Sequence, residues 1–473
     1  MPTWISRDIL LLPLTELFTV TGFLLALVLL SQVARSNRPP QSTIAWLLTI
    51  VFLPYVGVPL YLMLGGRKMQ RMARRKAGVY EVADVHSGSD FGTGLDRVLR
   101  TYGVPQATDG NRVELVTSGV DAYRRLCALI DGAAHSIHLT SYILGRDAVG
   151  EAVVARLARR AAEGVRVRVL LDDIGSWRIR KSFYAAIEEA GGKVAFFMPV
   201  LHWPFHGRSN LRNHRKIIVA DGRAALTGGM NIAGEYMGPT PDPARWRDVS
   251  LVIEGPAAID LERLFWSDWT FTTGEARPAD EGEALAAFHP DDLPGNTKAQ
   301  VVASGPDVEG DPLYEAFITL LFSARERVWV VTPYFVPDEI LVRALDLAAR
   351  RGVDVRIVVP NRSNHLSADL ARVGYLRQVD EAGGRVLRYK PAMVHAKVVL
   401  IDRDLTVVGS ANMDMRSLFL NYEVAVFLHS EDKAAEVEQW LLGLMSQSRP
   451  GLSRQNWARG MAENVVRLIS PLL

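Results

Sequence analysis

Two long apolar runs open the chain, and strand-like and helix-like patterns alternate after them. Ile9 to Val33 is apolar except for Glu16 and a few hydroxyl or amide residues, and Ile44 to Gly66 contains no charged residue. Each run is long enough to cross a hydrocarbon layer of about 30 Å as a helix. The polar turn between them carries Pro39 and Pro40, which would break a helix. Residues 1–66 are therefore expected to form a transmembrane helical hairpin. A cleaved leader is the rival reading. It is weak because Arg7 is offset by Asp8 and a second apolar run follows at once.

Downstream, the pattern occurs twice. Residues 136–147 match 327–338, each a strand ending in Thr-x-Tyr: Thr140 and Tyr142, then Thr332 and Tyr334. An amphipathic helix follows in both (151–164 and 340–352). Each helix ends at a glycine before an apolar strand, 165–173 or 353–361. A further helix closes on Glu-Ala-Gly-Gly at 189–192 and 381–384, and one more strand follows. Alternating strands and helices predict an α/β fold of two tandem repeats with helices packed on a sheet. The expected division is the hairpin at 1–66, a basic juxtamembrane linker at 67–110 and a first repeat at 111–274. A Pro-, Gly- and acid-rich linker at 275–297 and a second repeat with C-terminal helices at 298–473 complete it. The repeats differ around 198–210, where an aromatic loop in the first half has no counterpart in the second. It carries His202, Trp203, Phe205 and His206. Its two histidines stand four apart, but Pro204 argues against a helix and no carboxylate motif accompanies them, so no metal site is expected.

Composition changes this picture little. The 473 residues carry a net charge of only +2, which does not demand a polyanionic partner. The single cysteine, Cys127, lies in an apolar helical pattern and reads as a small core residue. Charge is informative locally. Arg67, Lys68, Arg71, Arg74, Arg75 and Lys76 follow the second apolar run without one acid. By the positive-inside rule this places everything from residue 67 onward in the cytoplasm, and the basic stretch would lie against anionic headgroups.

The chemistry sits in one doubled motif. His214, Lys216 and Asp221 recur as His395, Lys397 and Asp402, and both copies run on to a common tail, Gly228-Gly229-x-Asn231 and Gly409-Ser410-x-Asn412. Side chains two apart on a strand share a face, so each half offers an imidazole beside an ammonium group. The glycine turn would bring Asn231, Ser410 and Asn412 to the same spot as neutral phosphate ligands. Two such halves facing each other suit an anionic, five-coordinate phosphorus. One neutral imidazole can attack it, and one protonated imidazole can give its proton to the leaving alkoxide. The candidate catalytic set is His214, Lys216, Asp221, His395, Lys397 and Asp402. The two aspartates lie just past an apolar strand, a position that suits turn stabilisation better than substrate contact. Asp248 and Glu423 occupy matched repeat positions, and each is expected to orient the histidine of its own half.

The doubled motif resembles the phospholipase D superfamily, and the N-terminal spans together with residues 210–236 and 408–424 look like the bacterial cardiolipin synthases. That resemblance covers nearly the whole chain. It implies a transfer without metal or other cofactor through a phosphatidyl-histidine, with His214 as nucleophile and His395 as acid. It also implies phosphatidylglycerol as the phospholipid substrate and a bacterial inner-membrane location. Hydrolysis in the manner of a phospholipase D stays open, as does a membrane-tethered nuclease. The hairpin favours lipid, and no basic groove with stacking aromatics points to nucleic acid. The acceptor alcohol and the oligomeric state are not encoded in these motifs.

Overall fold

The computed structural model describes residues 94–199, 211–279, 293–308 and 310–452, together with Ser31, 40–52, Tyr55, Gly57, Val58, Lys76, Val79 and Tyr80. The first repeat contributes seven strands: β1 (Thr108–Val116), β2 (Ser136–Ser141), β3 (Arg166–Asp172), β4 (Lys193–Phe197), β5 (Ile217–Ala220), β6 (Ala224–Gly228) and β7 (Ser250–Glu254). The second supplies β8 (Thr297–Ser304), β9 (Arg327–Val331), β10 (Phe335–Val336), β11 (Asp354–Pro360), β12 (Arg385–Tyr389), β13 (Val398–Ile401), β14 (Leu405–Gly409), β15 (Met413–Asp414), β16 (Glu423–His429) and β17 (Ser448–Pro450).

All but β10 and β15 join one 15-stranded sheet. From the antiparallel seam between β1 and β8, the order outward is β7-β6-β5-β2-β3-β4 on one side and β16-β14-β13-β9-β11-β12 on the other, with β17 appended. The two halves thus repeat one topology about a pseudo-twofold axis. In each, three outer strands are parallel (β2-β3-β4 and β9-β11-β12), and the strand that follows the His-x-Lys motif runs antiparallel to them.

The sequence explains this directly. β2 is buried along its whole length and β3 from Val167 to Asp172, as parallel strands covered on both faces must be. Outer helices Gly119–Gly132 and Ala148–Ala162 cover the first half with Leu126, Ile130, Val153 and Leu157. Pro312–Ser323 and Glu339–Arg350 cover the second with Phe317, Leu321, Leu341 and Leu345. Ser118, Asp147 and Asp338 cap these helices with side-chain bonds to first-turn amides, which otherwise lack partners. Between the halves lies a third core. Ile217, Val219 and Leu251 meet Val398, Leu400 and Val426 there, with Leu261 and Leu264 of helix Pro256–Thr273 and Val437 and Leu441 of helix Glu431–Ser446. Cys127 is buried in the first outer core, as its pattern predicts.

One residue of the basic stretch behaves differently from the expectation that this stretch lies against headgroups. Lys76 is 4 % exposed and donates to Asp268 and to Asp307 Oδ2 (2.7 Å). Arg215, inside the first His-x-Lys motif, is fully buried and donates to the same Asp268 at 2.7 Å. Two cations and two carboxylates therefore balance at the seam, since unpaired charges could not be buried there. Tyr80 continues the tether by accepting from the Ala303 amide at 2.8 Å.

Most of the expected hairpin lies outside the described residues. Within it, Pro40–Phe52 is helical, and among the described residues no helix is long and apolar enough to cross a membrane. The aromatic loop from 200 to 210, with His202 and His206, and the C-terminal segment from 453 also lie outside them.

Candidate active site

The His-x-Lys triplets sit in the extended approach to β5 and β13 rather than inside the strands. That places them beside the C-terminal ends of the parallel strands, where open α/β sheets bind ligands. Each approach is held by the opposite half. The His214 amide donates to Tyr422 O (2.9 Å), and the His395 amide donates to Arg247 O (2.7 Å).

The histidine–carboxylate pairs also cross over. His214 Nδ1 donates to Glu423 Oε2 at 3.0 Å, and His395 Nδ1 donates to Asp248 Oδ2 at 2.6 Å. The expectation that each carboxylate serves its own half is therefore wrong. The backbone bridges explain why: Asn213 pairs with Tyr422 and Arg247 with Val394, so each motif lies beside the other half's carboxylate. With Nδ1 engaged, Nε2 carries the lone pair in both rings.

Asp221 and Asp402 take no part in this centre, which corrects their place in the catalytic set. Asp221 accepts from the amides of Ala134, His135 and Ser136 at 2.7 to 2.8 Å. Asp402 does the same for Arg325, Glu326 and Arg327. Both have positive φ, 55° and 47°, in the turn after the strand, and tie that turn to the start of β2 or β9. The pocket lies at the other end of those strands.

The tail is also placed differently. Gly228 and Gly409 let the turn approach β7 and β16, since a Cβ at either would lie 2.5 or 2.4 Å from a backbone oxygen. Ser410 is wholly buried and donates its hydroxyl to Glu423 Oε2, so it braces the carboxylate instead of facing substrate. At Gly229, a Cβ would stand 2.1 Å from Asp248 Oδ1. Glycine with the shorter aspartate and serine with the longer glutamate are thus two solutions to one steric problem. Asn231 Oδ1 accepts from the Ile143 amide at 3.3 Å, and Asn412 Nδ2 donates to Ser417 Oγ at 3.2 Å. Both amides lie buried within the turns beside the histidines.

The environments of the rings differ. Tyr142 stands edge-on to His214 with centroids 4.9 Å apart, whereas Tyr236 and Trp246 enclose His395 at 5.1 and 5.3 Å. The Thr-x-Tyr repeat pointed to Tyr142. Tyr236 and Trp246 have no repeat signal, because Ser417 and Asn421 stand at the matching offsets. Asp414 was also missed. It caps helix Met415–Phe419, and burial pushes its carboxyl up to about 6.

Electrostatics unite the halves. Burial pushes the Lys216 ammonium down to about 7 and Lys397 to about 8, and Lys216 feels Lys397, Glu423 and Asp248. Burial also lowers both histidines; Lys397 adds to the shift at His395, where its Nζ lies 2.7 and 3.2 Å from the two ring nitrogens. Burial would raise the carboxyls of Asp248 and Glu423, but the facing cations outweigh it and keep both below the ordinary range. The centre therefore holds two fixed carboxylates, two imidazoles biased toward neutrality and two ammonium groups whose charge an arriving anion would reinforce.

Residues 126–269 and 317–445, which contain all of these groups, match the family described as cardiolipin synthase, PLD-like domain. The chain belongs to the phospholipase D-like cardiolipin synthase family. Residues 24–66 separately match a phospholipase D-nuclease N-terminal family. The major cardiolipin synthase ClsA of Bacillus subtilis is 33% identical, covering 97% of this chain and 99% of that one. Cardiolipin synthase 2 of Bacillus cereus is 32% identical, over 96% of this chain and 91% of its own length. In fold, the chain is similar to the phosphatidylserine synthase of Haemophilus influenzae, with a TM-score of 0.61, 15% identity and coverage of 80% of this chain and 98% of that chain. These family matches agree with the repeated α/β architecture read from the sequence.

Proposed function

We propose that this chain is a membrane-associated phosphatidyl transferase that condenses two phosphatidylglycerols into cardiolipin and glycerol. The observation that carries this reading is the crossed pair of histidines, each fixed through Nδ1 by the other half's carboxylate beside two buried lysines. His214 Nε2 attacks phosphorus of the first lipid, and the bond to the glycerol headgroup breaks. His395, neutral in the free enzyme because of burial and Lys397, takes up a proton once the anionic phosphodiester is bound and supplies it to that departing alkoxide. A hydroxyl of the second lipid then loses its proton to His395 and attacks phosphorus, breaking the P–N bond and releasing cardiolipin. His214 is the better nucleophile of the two: its ring is 12% exposed against 5% for His395. Lys397, in contact with the His395 ring, keeps a proton within reach of the acid. Lys216 and Lys397 would hold the phosphoryl oxygens, with Asn231 and Asn412 lining the turns beside them.

In this reading residues 1–66 anchor the enzyme in the bacterial inner membrane. Residues 67–110 lead to cytoplasmic repeats at 111–274 and 298–473, joined by 275–297. The aromatic walls around both rings favour a lipid alcohol over water as the second nucleophile. Purified full-length protein given labelled phosphatidylglycerol in vesicles should release cardiolipin and glycerol in equal amounts, with or without chelator. Phosphatidic acid as the sole product would replace this reading with hydrolysis.

The pH dependence has a definite sign. Attack needs neutral His214, whose pKa is held below its ordinary 6.5, so the acid limb of kcat/KM should lie below pH 6.5. Phosphate capture needs protonated lysines, and Lys216 and Lys397 lose their protons at about 7 and about 8 in the free enzyme. kcat/KM should therefore fall as pH rises through that window. An alkaline limb near the ordinary lysine value would remove these two residues from phosphate binding.

A further inference from the structure

Two loops at repeat-related positions flank the pocket, one after β3 (173–180) and one after β11 (361–365). Each touches its half's Thr-x-Tyr tyrosine. Ser176 Oγ donates to Tyr142 O (3.1 Å), and the Tyr334 hydroxyl donates to Asn364 Oδ1 (2.5 Å). Tyr142 in turn lies against His214. Tyr334 is near enough to Tyr142 and Asp414 to feel their charge. Both loops are therefore part of the mouth of one centre.

Their outer faces are apolar where a water-facing rim would be polar. Trp177 is 72% exposed and Leu366, directly after the second loop, 74%. Among the described residues beyond position 93, no other large apolar side chain is as exposed. Ile174 adds a third. Exposed cations lie among them: Arg178, stacked 5.3 Å from the Trp177 ring, then Arg180, Lys181 and Arg362. The nearby acids are less available. Asp173 and Asp369 are half-buried, and Asp369 accepts from the Ser363 amide and pairs with Arg372. Apolar tips with a tryptophan, set among basic residues, are the composition of a surface that enters the headgroup region of an anionic bilayer.

We infer that Ile174, Trp177 and Leu366, with Arg178, Arg180, Lys181 and Arg362, form a docking rim that seats the pocket mouth on an anionic lipid surface. The twofold placement matters, because two contacts on opposite sides of the opening fix its tilt as one contact could not. A phosphodiester in the headgroup layer then enters between the loops without leaving the bilayer. This inference rests on the phospholipid substrate proposed above.

The test uses full-length protein in vesicles of phosphatidylglycerol or of phosphatidylcholine. An environment-sensitive fluorophore is placed at I174C, W177C, L366C and, as a control, L293C. Leu293 packs near Gly110, at the end of the sheet remote from the histidines. The three rim positions should shift to the blue and be quenched by bromo-lipids, more strongly with phosphatidylglycerol, while L293C should not respond. The triple variant I174D/W177D/L366D should lose at least about tenfold more kcat/KM on vesicles than on a monomeric short-chain phosphatidylglycerol. Unquenched rim probes on protein that still makes cardiolipin overturn the docking rim and leave the activity standing. Quenched probes on protein that makes no cardiolipin do the reverse. Equal losses on both substrates would also overturn the rim.

Discussion

His214→Ala and His395→Ala each reduce cardiolipin formation at least about a thousandfold, because one removes the nucleophile and the other the proton carrier, and general acid–base catalysis alone contributes about 10² to 10⁴. The two losses should differ in kind. With His395→Ala, a phosphorylated histidine should accumulate at His214 when the leaving group is a good one that needs no protonation, such as nitrophenolate. With His214→Ala, no phosphohistidine should form with any leaving group. Mass spectrometry of the quenched protein reads this directly. Label on His395 in the wild type would reverse the assigned roles, and a near-normal rate in either variant would end the two-histidine mechanism. Because His395 is buried against Tyr236 and Trp246, the melting temperature of each variant should be compared with that of the wild type.

Glu423→Gln cripples His214 and Asp248→Asn cripples His395, the reverse of what their positions in the repeats suggest. Each replacement keeps the side chain's size and removes the charge that selects the Nε2 lone pair, with an expected cost of about 10² to 10⁴ in turnover. Phosphohistidine at His214 discriminates the crossed arrangement from the uncrossed one. Using the activated substrate, Glu423→Gln should slow its formation, whereas Asp248→Asn should leave its formation intact and slow its breakdown by a lipid alcohol. The opposite assignment of the two effects would mean that each carboxylate serves its own half. Asp248 is fully buried and paired with His395, so the melting temperature of each variant should be compared with that of the wild type.

Much of this was legible in the chain. The order of strands and helices in each half follows from apolar runs bounded by glycines, as at Gly191 and Gly383, whose φ values of 92° and 101° only glycine adopts easily. The doubled His-x-Lys motif located the centre because a duplicated half-site predicts a single pocket. Misreadings arose where a role depends on which end of a strand a residue occupies. Asp221 and Asp402 belong to the motif by spacing, but a strand separates them from the histidines, and three backbone amides claim each carboxylate. Ser410 looked like a phosphate ligand, yet its hydroxyl is directed inward by the approach of β16.

The sequence by itself determined the two α/β repeats, the phosphodiester chemistry and the residues that could carry it, because local periodicity and duplicated spacing are properties of the chain alone. Only the tertiary structure decided which carboxylate serves which histidine, that Lys76 is sealed into the seam, and that Trp177 and Leu366 stand exposed. The physical reason is that these pairings join residues 147 to 231 positions apart in the chain. Such contacts follow from how two sheets close on each other, and no spacing along the chain records that.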